Sequence, residues 1–188
     1  MPRAGLSRAA VVAAALDLVD AEGLDALGPS PLAARLGVRP ASLYSHVASA
    51  ADLREGVCAA VLDELADRVA DALAGRSGEA ALRAFADAYR DYAHAHPGRY
   101  AASRLPVGPD SPAVPAGRRH AALAVAVLRG YAVPEAEQVH AVRLLGSLVH
   151  GYASLEQAGA FGHSEPGPEQ SWPRVVAALD AALRTWST

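Results

Sequence analysis

The stretch GPSPLAARLGVRPASLYSHV, residues 28–47, predicts two short helices joined by a tight turn, and the rest of the fold is built around it. Gly37 can take the left-handed backbone conformation that ends the first helix, and Ala33 is small enough to let the second helix cross closely. Pro40 opens the second helix at a first-turn position, where the missing N–H of proline costs no hydrogen bond. The stretch therefore predicts a helix-turn-helix.

The second helix of this motif separates an inward face from a surface face. Leu43 and Val47 are four residues apart and face inward, because residues at that spacing lie on one side of a helix. The residues left on the surface are polar or aromatic: Ser42, Tyr44, Ser45 and His46. A helix held at this angle and carrying such a face fits the major groove of DNA. The motif thus predicts a DNA-binding head.

The composition favours helices over strands. Of the 188 residues, 52% are hydrophobic and only 5% are aromatic, and alanine and leucine are abundant. The net charge of −3 means that the surface as a whole does not attract polyanions. The single cysteine, Cys58, excludes an intramolecular disulfide and a cysteine-based zinc site. No apolar run reaches the ~18 residues of a membrane span and no signal sequence is recognisable, so we expect a soluble cytoplasmic protein.

A long helix is predicted to follow the head. Ser49 to Asp52 form a variant of the capping box, which marks the start of a helix. Beyond it an apolar residue recurs at every fourth position: Leu53, Val57, Val61, Leu65, Val69 and Leu73. This stripe rotates by roughly 200° along the helix, so the two ends of the helix bury different faces. We expect the helix to connect two domains, residues 1–50 and residues 51–188.

Two helices near the C-terminal end carry regular apolar seams. They are predicted over residues 134–159 and 172–186, and their apolar residues recur at alternating spacings of four and three. Such helices can form half of an intermolecular four-helix bundle. We therefore expect a homodimer whose interface contains Leu145, Leu148, Tyr152, Leu155, Trp172, Val176, Leu179, Leu183 and Trp186. The alternative is that both seams close the core of the monomer. We favour the dimer, because Leu144, Val149 and Val175 lie outside the seams and can serve the core.

Residues 7–57 as a whole resemble the TetR family of one-component bacterial transcription regulators. The matching runs are ALDLVDAEGLDAL at 15–27, LAARLGVRPASLYSHV at 32–47, and the long helix opening at Leu53. The resemblance implies an all-α fold, in which a three-helix head with a helix-turn-helix is linked by a long helix to a C-terminal helical ligand-binding and dimerisation domain. It also implies a repressor that binds a palindromic operator on double-stranded DNA as a dimer and is released by a small molecule.

The C-terminal half resembles one domain type of that family. His96-Pro97-Gly98-x-Tyr100 and SLVHGYASLEQAGAFG at 147–162 match a type that carries a Trp and a His-Gly pair, and Gly146 stands where that Trp would fall. The head departs from the family at Ala50, because the family usually has a lysine there that is anchored to a phosphate. Loss of that contact predicts weaker DNA binding with a smaller salt dependence.

The resemblance implies a role in DNA binding for the second helix of the motif. Arg39, Ala41, Ser42 and Ser45 would face base edges, whereas Tyr44 and His46 would hold the phosphate backbone. Pro40 belongs to the same surface. Arg39 can pair bidentately with guanine, and Ala41 can touch a thymine methyl. Arg3 and Arg8 add positive charge near the start of the first helix. The alternative for Tyr44 is a half-buried aromatic side chain that packs within the head.

The resemblance also implies a small-molecule pocket in the C-terminal domain. The candidates to line it place polar tips among apolar walls: Leu62, Phe85, Tyr89, Tyr92, Arg104, His120 and His150. Each of them can equally be an ordinary core residue. The abundance of Ala and Leu around them favours an apolar or aromatic effector.

The seven histidines invite a metal or catalytic interpretation, but their spacing does not support one. His94 and His96 are two residues apart, which is wrong for one helical face, and His46 has no second ligand three or four residues away. No Gly-rich phosphate loop and no Ser-His-Asp or Cys-His arrangement stands out. We therefore expect no enzyme activity, no metal and no cofactor.

Two other functions stay open. A helical small-molecule-binding dimer with weakened or lost DNA binding is suggested by Ala50 and by the neutral charge of residues 1–48, which contain four arginines and four acidic residues. An all-α enzyme that uses the histidine-rich C-terminal half is the third. The sequence leaves open the effector, the operator, the regulated genes and whether the protein represses or activates.

Overall fold

A computed structural model describes residues 6–186, and these residues form helices and no β-strand. The α-helices are α1 (Arg8–Glu22), α2 (Pro29–Leu36), α3 (Pro40–Leu43), α4 (Ala50–Leu73), α5 (Gly78–Ala95), α6 (Pro97–Ala102), α7 (Ala113–Leu128), α8 (Gln138–Gln157) and α9 (Pro168–Arg184). Short 3-10 helices precede α2 and α8, at Leu24–Ala26 and Glu135–Glu137. The predicted all-α class is confirmed. Within the described range no helix is long and apolar enough to cross a membrane.

The chain divides into two compact units. Unit 1 extends to Glu64 and takes up the chain again at His96–Gly117, whereas unit 2 contains Leu65–Ala95 and the chain from Arg118 onward. The predicted boundary at residue 50 coincides with the start of α4, but the compact unit continues beyond it. The reason is that the first half of α4 buries its apolar residues in unit 1, as the buried Leu53 and Val57 show.

The α2 and α3 helices form the helix-turn-helix of unit 1. Gly37 ends α2 in the left-handed region with a φ of 65°, and Pro40 begins α3. The α-helical part of α3 is only four residues long, and the chain continues in a turn in which the Val47 N–H donates to the Leu43 carbonyl at 3.0 Å. Leu43 and Val47 are both buried. Their predicted inward direction is therefore confirmed.

The start and the apolar stripe of α4 follow the sequence pattern. The Ser49 hydroxyl accepts a hydrogen bond from the Asp52 N–H at 3.0 Å, and the Asp52 carboxylate accepts one from the Ala48 N–H at 2.7 Å. The first bond is that of a capping box, and the return bond goes to the residue before Ser49, so the arrangement is the predicted variant of that motif. Five residues of the predicted stripe are buried: Leu53, Val57, Val61, Leu65 and Val69. The stripe supplies its first three residues to unit 1 and the other two to unit 2.

The α6 helix brings a distant part of the chain onto the head within unit 1. A Cβ atom at Gly98 would overlap the carbonyl oxygen of Val19 in α1, so only glycine permits this close approach. The next residue, Arg99, forms ion pairs with Asp20 of α1 at 2.7 Å and with Glu64 of α4 at 2.8 Å. These contacts fix α6 against α1 and α4. The sequence motif around Pro97 was noticed, but its packing role was not predicted.

The two apolar seams of α8 and α9 lie largely inside unit 2. Leu145, Trp172, Val176, Leu179 and Leu183 are all buried within the chain. In this fold their side chains are not available to a second chain. The prediction that these five residues lie in a dimer interface is therefore wrong, and they close the core of the monomer instead. A spacing of four and three places residues on one helix face whether that face meets its own core or a partner. The sequence pattern alone therefore could not distinguish the two.

The other four seam residues lie nearer the surface of unit 2. Leu155 is 50% exposed, while Leu148, Tyr152 and Trp186 are half-buried. Leu144, which was expected in the core, is exposed. Residues 144, 148 and 155 are four and seven positions apart and therefore share one face of α8. This exposed face, Leu144, Leu148 and Leu155, is called the α8 face below.

Candidate DNA-binding surface and effector cavity

The surface at α3 displays the residues predicted to meet DNA. The exposed ones are Arg39, Pro40, Ala41, Ser42, Tyr44 and Ser45, and His46 is half-buried. Tyr44 is 51% exposed, which leaves part of its side chain accessible to a partner and also fits the half-buried alternative. The buried Leu43 and Val47 anchor the same segment from beneath. A rigid apolar underside thus supports a continuous polar surface.

Arg8, another predicted contact, has a partner inside unit 1. Its guanidinium donates two hydrogen bonds to the Asp52 carboxylate, at 2.6 and 2.7 Å, and so ties the start of α1 to the start of α4. These hydrogen bonds hold the pKa of Asp52 below its usual value. The guanidinium is therefore oriented toward α4, although part of it stays exposed. Arg3 lies outside the described residues.

The acidic residues late in α1 are partly neutralised. Asp20 pairs with Arg99 at 2.7 Å, and Asp17 lies 3.9 Å from the same guanidinium. The even balance of charge counted over residues 1–48 did not include Arg99, because α6 is distant in the sequence. Unit 1 is therefore less acidic along α1 than the sequence of the head alone indicates.

Unit 2 contains a small cavity between α5, α7 and α8. Its volume is about 190 Å³. Phe85 and Tyr89 line it from α5, and His120 lines it from α7 together with Ala121 and Ala124. The α8 side consists of Val142, Gly146, Val149 and His150. Four of the seven predicted pocket residues therefore meet at this cavity.

The aromatic and imidazole rings at the cavity are in contact with one another. The Tyr89 hydroxyl forms a hydrogen bond with Nδ1 of His120. The ring of His150 meets the ring of Tyr89 edge-on, with 5.2 Å between the centroids, and Phe85 packs against Tyr89 at 4.7 Å. The contacts fix the Tyr89 ring between neighbours on three helices. The cavity thus has one polar corner and otherwise apolar walls.

The other three predicted pocket residues lie elsewhere. Leu62 packs in unit 1 against the buried cluster of Cys58, Ala59 and Ala113. Arg104, also in unit 1, has its guanidinium 5.1 Å from the ring centroid of Tyr100. Tyr92 is buried in unit 2 but borders a separate surface groove beside Arg68. The resemblance that implies a pocket does not indicate which core each of these residues joins.

A buried ion-pair network that was not predicted connects α5, α8 and α9 in unit 2. Arg90 is 7% exposed and donates to Glu156 at 2.6 and 2.8 Å and to Glu169 at 2.7 and 3.1 Å. His94 also contacts Glu156, at 2.8 Å, and the Arg90 guanidinium lies 5.4 Å from the ring centroid of Trp172. The hydrogen bonds from Arg90 lower the pKa of Glu156. The network fixes α5, which carries two cavity residues, to the two C-terminal helices.

The described residues contain no cluster of three His, Cys, Asp or Glu side chains that could hold a metal ion. The polar groups that line the cavity are the Tyr89 hydroxyl and the imidazole rings of His120 and His150, all of which can form hydrogen bonds. Their arrangement can bind and orient a small molecule.

Comparisons with known proteins agree on one family. A family model described as the tetracyclin repressor-like C-terminal domain matches residues 82–179. The HTH-type transcriptional regulator Rv0681 of Mycobacterium tuberculosis is 42% identical over 158 residues, which are 83% of this chain and 72% of that protein. The HTH-type transcriptional regulator YobS of Bacillus subtilis is 31% identical over 185 residues, 98% of this chain and 93% of that protein. Among solved structures, a TetR variant of Acinetobacter baumannii AYE in complex with minocycline has a TM-score of 0.74 at 23% identity, covering 98% of this chain and 100% of that one.

Proposed function

This chain belongs to the TetR family of transcriptional regulators, and we propose that it is a dimeric repressor that binds a palindromic operator and releases it when a small molecule enters the unit 2 cavity. The observation that carries the DNA-binding part is the α3 surface. Six of its residues are exposed side by side above the buried Leu43 and Val47, so the surface can enter a groove without unfolding the head.

The α3 surface combines groups that distinguish bases with groups that only position the protein. Arg39 offers two parallel N–H donors for a guanine edge, and Ser42 can bond to several bases. The Ala41 methyl suits a thymine methyl. Tyr44 offers one hydroxyl to a phosphate oxygen, which fixes the register without reading the sequence. In a dimer two such surfaces would contact half-sites about 34–36 Å apart.

A symmetric dimer formed through the α8 face would match the two half-sites of a palindromic operator. Leu144 and Leu155 are 37% and 50% exposed, and Leu148 between them is half-buried. Together they leave apolar side chains on one face of a helix, which is the kind of surface that a second copy of the chain covers. The α8 face replaces the buried seam residues as the proposed interface.

Release by a ligand requires that the ligand favour the state that does not bind DNA. The α4 helix is continuous over 24 residues and supplies core residues to both units. A change of its direction in unit 2 would therefore be passed on along the helix itself to unit 1. We propose that occupancy of the cavity shifts α4 and changes the spacing of the two α3 surfaces.

Selection of DNA from a random pool tests the proposal. The wild type is expected to enrich a short palindrome, and Tyr44→Ala is expected to enrich it much more weakly, because the substitution removes a phosphate contact from each subunit. On the selected site Arg39→Ala should cost about 1–3 kcal/mol and relax one base position in each half-site. Arg118→Ala, an exposed arginine of unit 2, is the matched control and should bind like the wild type.

A second candidate function is a small-molecule-binding dimer that has lost DNA binding. The structure offers two observations in its favour: Ala50 stands at the exposed start of α4, and the Arg8 guanidinium is bound to Asp52. Both reduce the positive charge available to phosphates. If the wild type enriches no sequence even at low salt, this second function replaces the first.

A further inference from the structure

We propose that the effector is a neutral compound with a single aromatic ring and one hydroxyl group, a small phenol, and that Gly146 sets the limit on its size. This inference rests on the proposed function of the unit 2 cavity as the effector site.

The volume restricts the ligand to one ring. The cavity of about 190 Å³ is smaller than the about 300–1,000 Å³ typical of sites for drug-sized molecules. An apolar protein cavity of about 150 Å³ is enough to bind benzene. The unit 2 cavity therefore accepts one benzene-sized ring with a short substituent, whereas a fused two-ring compound would have to push the helices apart.

The walls favour a neutral ligand. All nine lining residues belong to the described part of the chain, and none of them is Arg, Lys, Asp or Glu. A carboxylate or an ammonium group would lose its hydration there without gaining a fixed opposite charge, which is strongly unfavourable. Phe85 and Val149, both buried, present the apolar surface that an aromatic ring needs.

The polar corner favours a hydroxyl group. It consists of the Tyr89 hydroxyl, bonded to Nδ1 of His120, and of the His150 imidazole. A hydroxyl group acts as both donor and acceptor, and an imidazole ring offers two nitrogens for hydrogen bonds, so a phenol hydroxyl can bond to these groups. The ring of the phenol would then stack or meet edge-on with Tyr89 and Phe85, as these two rings already do with each other.

Gly146 leaves the space that the ring would occupy. It lines the cavity from the middle of α8, and a Cβ atom placed on it would meet no other atom within 4 Å. Glycine in a helix interior is less favourable than alanine, so the open space is obtained at the expense of local helix stability. A larger side chain at this position would fill the cavity without a clash with the backbone.

The test measures ligand binding to the full chain by calorimetry, without DNA. The probes are 4-ethylphenol, the similarly shaped anion 4-methylbenzoate, and the two-ring compound 2-naphthol. We expect the wild type to bind 4-ethylphenol at one site per chain and to bind the other two at least tenfold more weakly. Comparable binding of 4-methylbenzoate or 2-naphthol, or no binding of 4-ethylphenol, would overturn the proposed ligand class.

Variants at glycines test the size limit. Gly146→Leu is expected to lose at least tenfold in affinity for 4-ethylphenol, and Gly146→Ala, which changes the fold least, about threefold. Gly117→Leu is the matched control, because Gly117 is also a helical glycine with open space in front of it but does not line the cavity. Unchanged binding in both Gly146 variants contradicts the role of Gly146.

The outcomes separate this inference from the proposed function. Because no DNA is present, failure of phenol binding leaves the DNA selection experiment unaffected. Conversely, if the wild type binds 4-ethylphenol but enriches no operator, the proposed ligand class stands and the proposed repressor function is refuted. If 4-ethylphenol binds but does not release a selected operator, only the link between the cavity and the DNA is refuted.

Discussion

Replacing Arg90 by methionine should destabilise unit 2 by about 3 kcal/mol. The change removes four hydrogen bonds, two to Glu156 and two to Glu169. Glu169 has a side chain that is 73% exposed, so this half of the network contributes little. The side chain of Glu156 is only 8% exposed, and breaking a buried pair costs about 3–5 kcal/mol. His94 remains in contact with Glu156, which places the estimate at the lower end.

Urea unfolding followed by circular dichroism, at pH 7 and one fixed protein concentration, measures this loss. The double variant Arg90→Met/Glu156→Met should recover most of the stability, because it removes the buried carboxylate along with its partner. The control is Arg119→Met, which removes an ion pair of the same 2.6 Å length to Asp67 at the surface. It should cost less than about 1 kcal/mol.

Two results would refute this reasoning. If Arg90→Met and Arg119→Met cost the same, the burial of the ion pair does not determine its contribution. If the double variant is as unstable as Arg90→Met alone, the loss does not come from an uncompensated charge on Glu156. Coupling between the two positions is read directly from the double-mutant cycle.

Three further predictions concern the proposed interface and two buried or paired groups. Leu155→Glu on the α8 face should convert the proposed dimer to a monomer in analytical ultracentrifugation. Val139→Glu, at an exposed position on another side of α8, should leave it intact, and a dimer that survives Leu155→Glu excludes this face. Because Arg8 lowers the pKa of Asp52, the pair stabilises the fold above the ordinary carboxyl pKa, and this stability is lost as the pH falls through the lowered value. Asp52→Asn should therefore make the free energy of unfolding fall less steeply between pH 6 and pH 2. An unchanged fall would contradict the prediction. Burial raises the pKa of Tyr100 to about 12, so folding favours its neutral phenol and stability falls as the pH rises above about 10. Tyr100→Phe should reduce this alkaline loss in thermal melts between pH 8 and 11, and Tyr131, whose pKa burial also raises, accounts for a part that remains. An unchanged loss in Tyr100→Phe would contradict the assignment.

The features that could be predicted from the sequence are those determined over a few neighbouring residues. A glycine that ends α2 and a proline that begins α3 specify the turn, and the same local logic identified the capping box at Ser49 and Asp52. The fourfold stripe of α4 was also recognisable, because a helix repeats its faces at a fixed spacing. Resemblance to a family then supplied the function that these elements serve.

The features that were missed depend on residues far apart in the chain. Arg90 and Glu156 are 66 positions apart, and no local pattern pairs them. Arg99 reaches Asp20 and Glu64 only after the chain has completed α4 and α5. For the cavity, the aromatic and histidine residues at its polar corner were named from their chemistry. Gly146 was noted as a departure from the family, but only the fold shows that its missing side chain faces open space.

The return of residues 96–117 to unit 1 affects how this protein can be divided and recombined. A fragment that stops at Glu64 would lack the partner that covers the Val19 carbonyl and would leave Asp20 without Arg99. The DNA-binding head is thus not a detachable module at the N-terminus, although its sequence motif is. An exchange of heads between relatives would have to transfer a second, non-adjacent segment with the first. An intact head in such an exchange therefore depends on two separate stretches of the sequence.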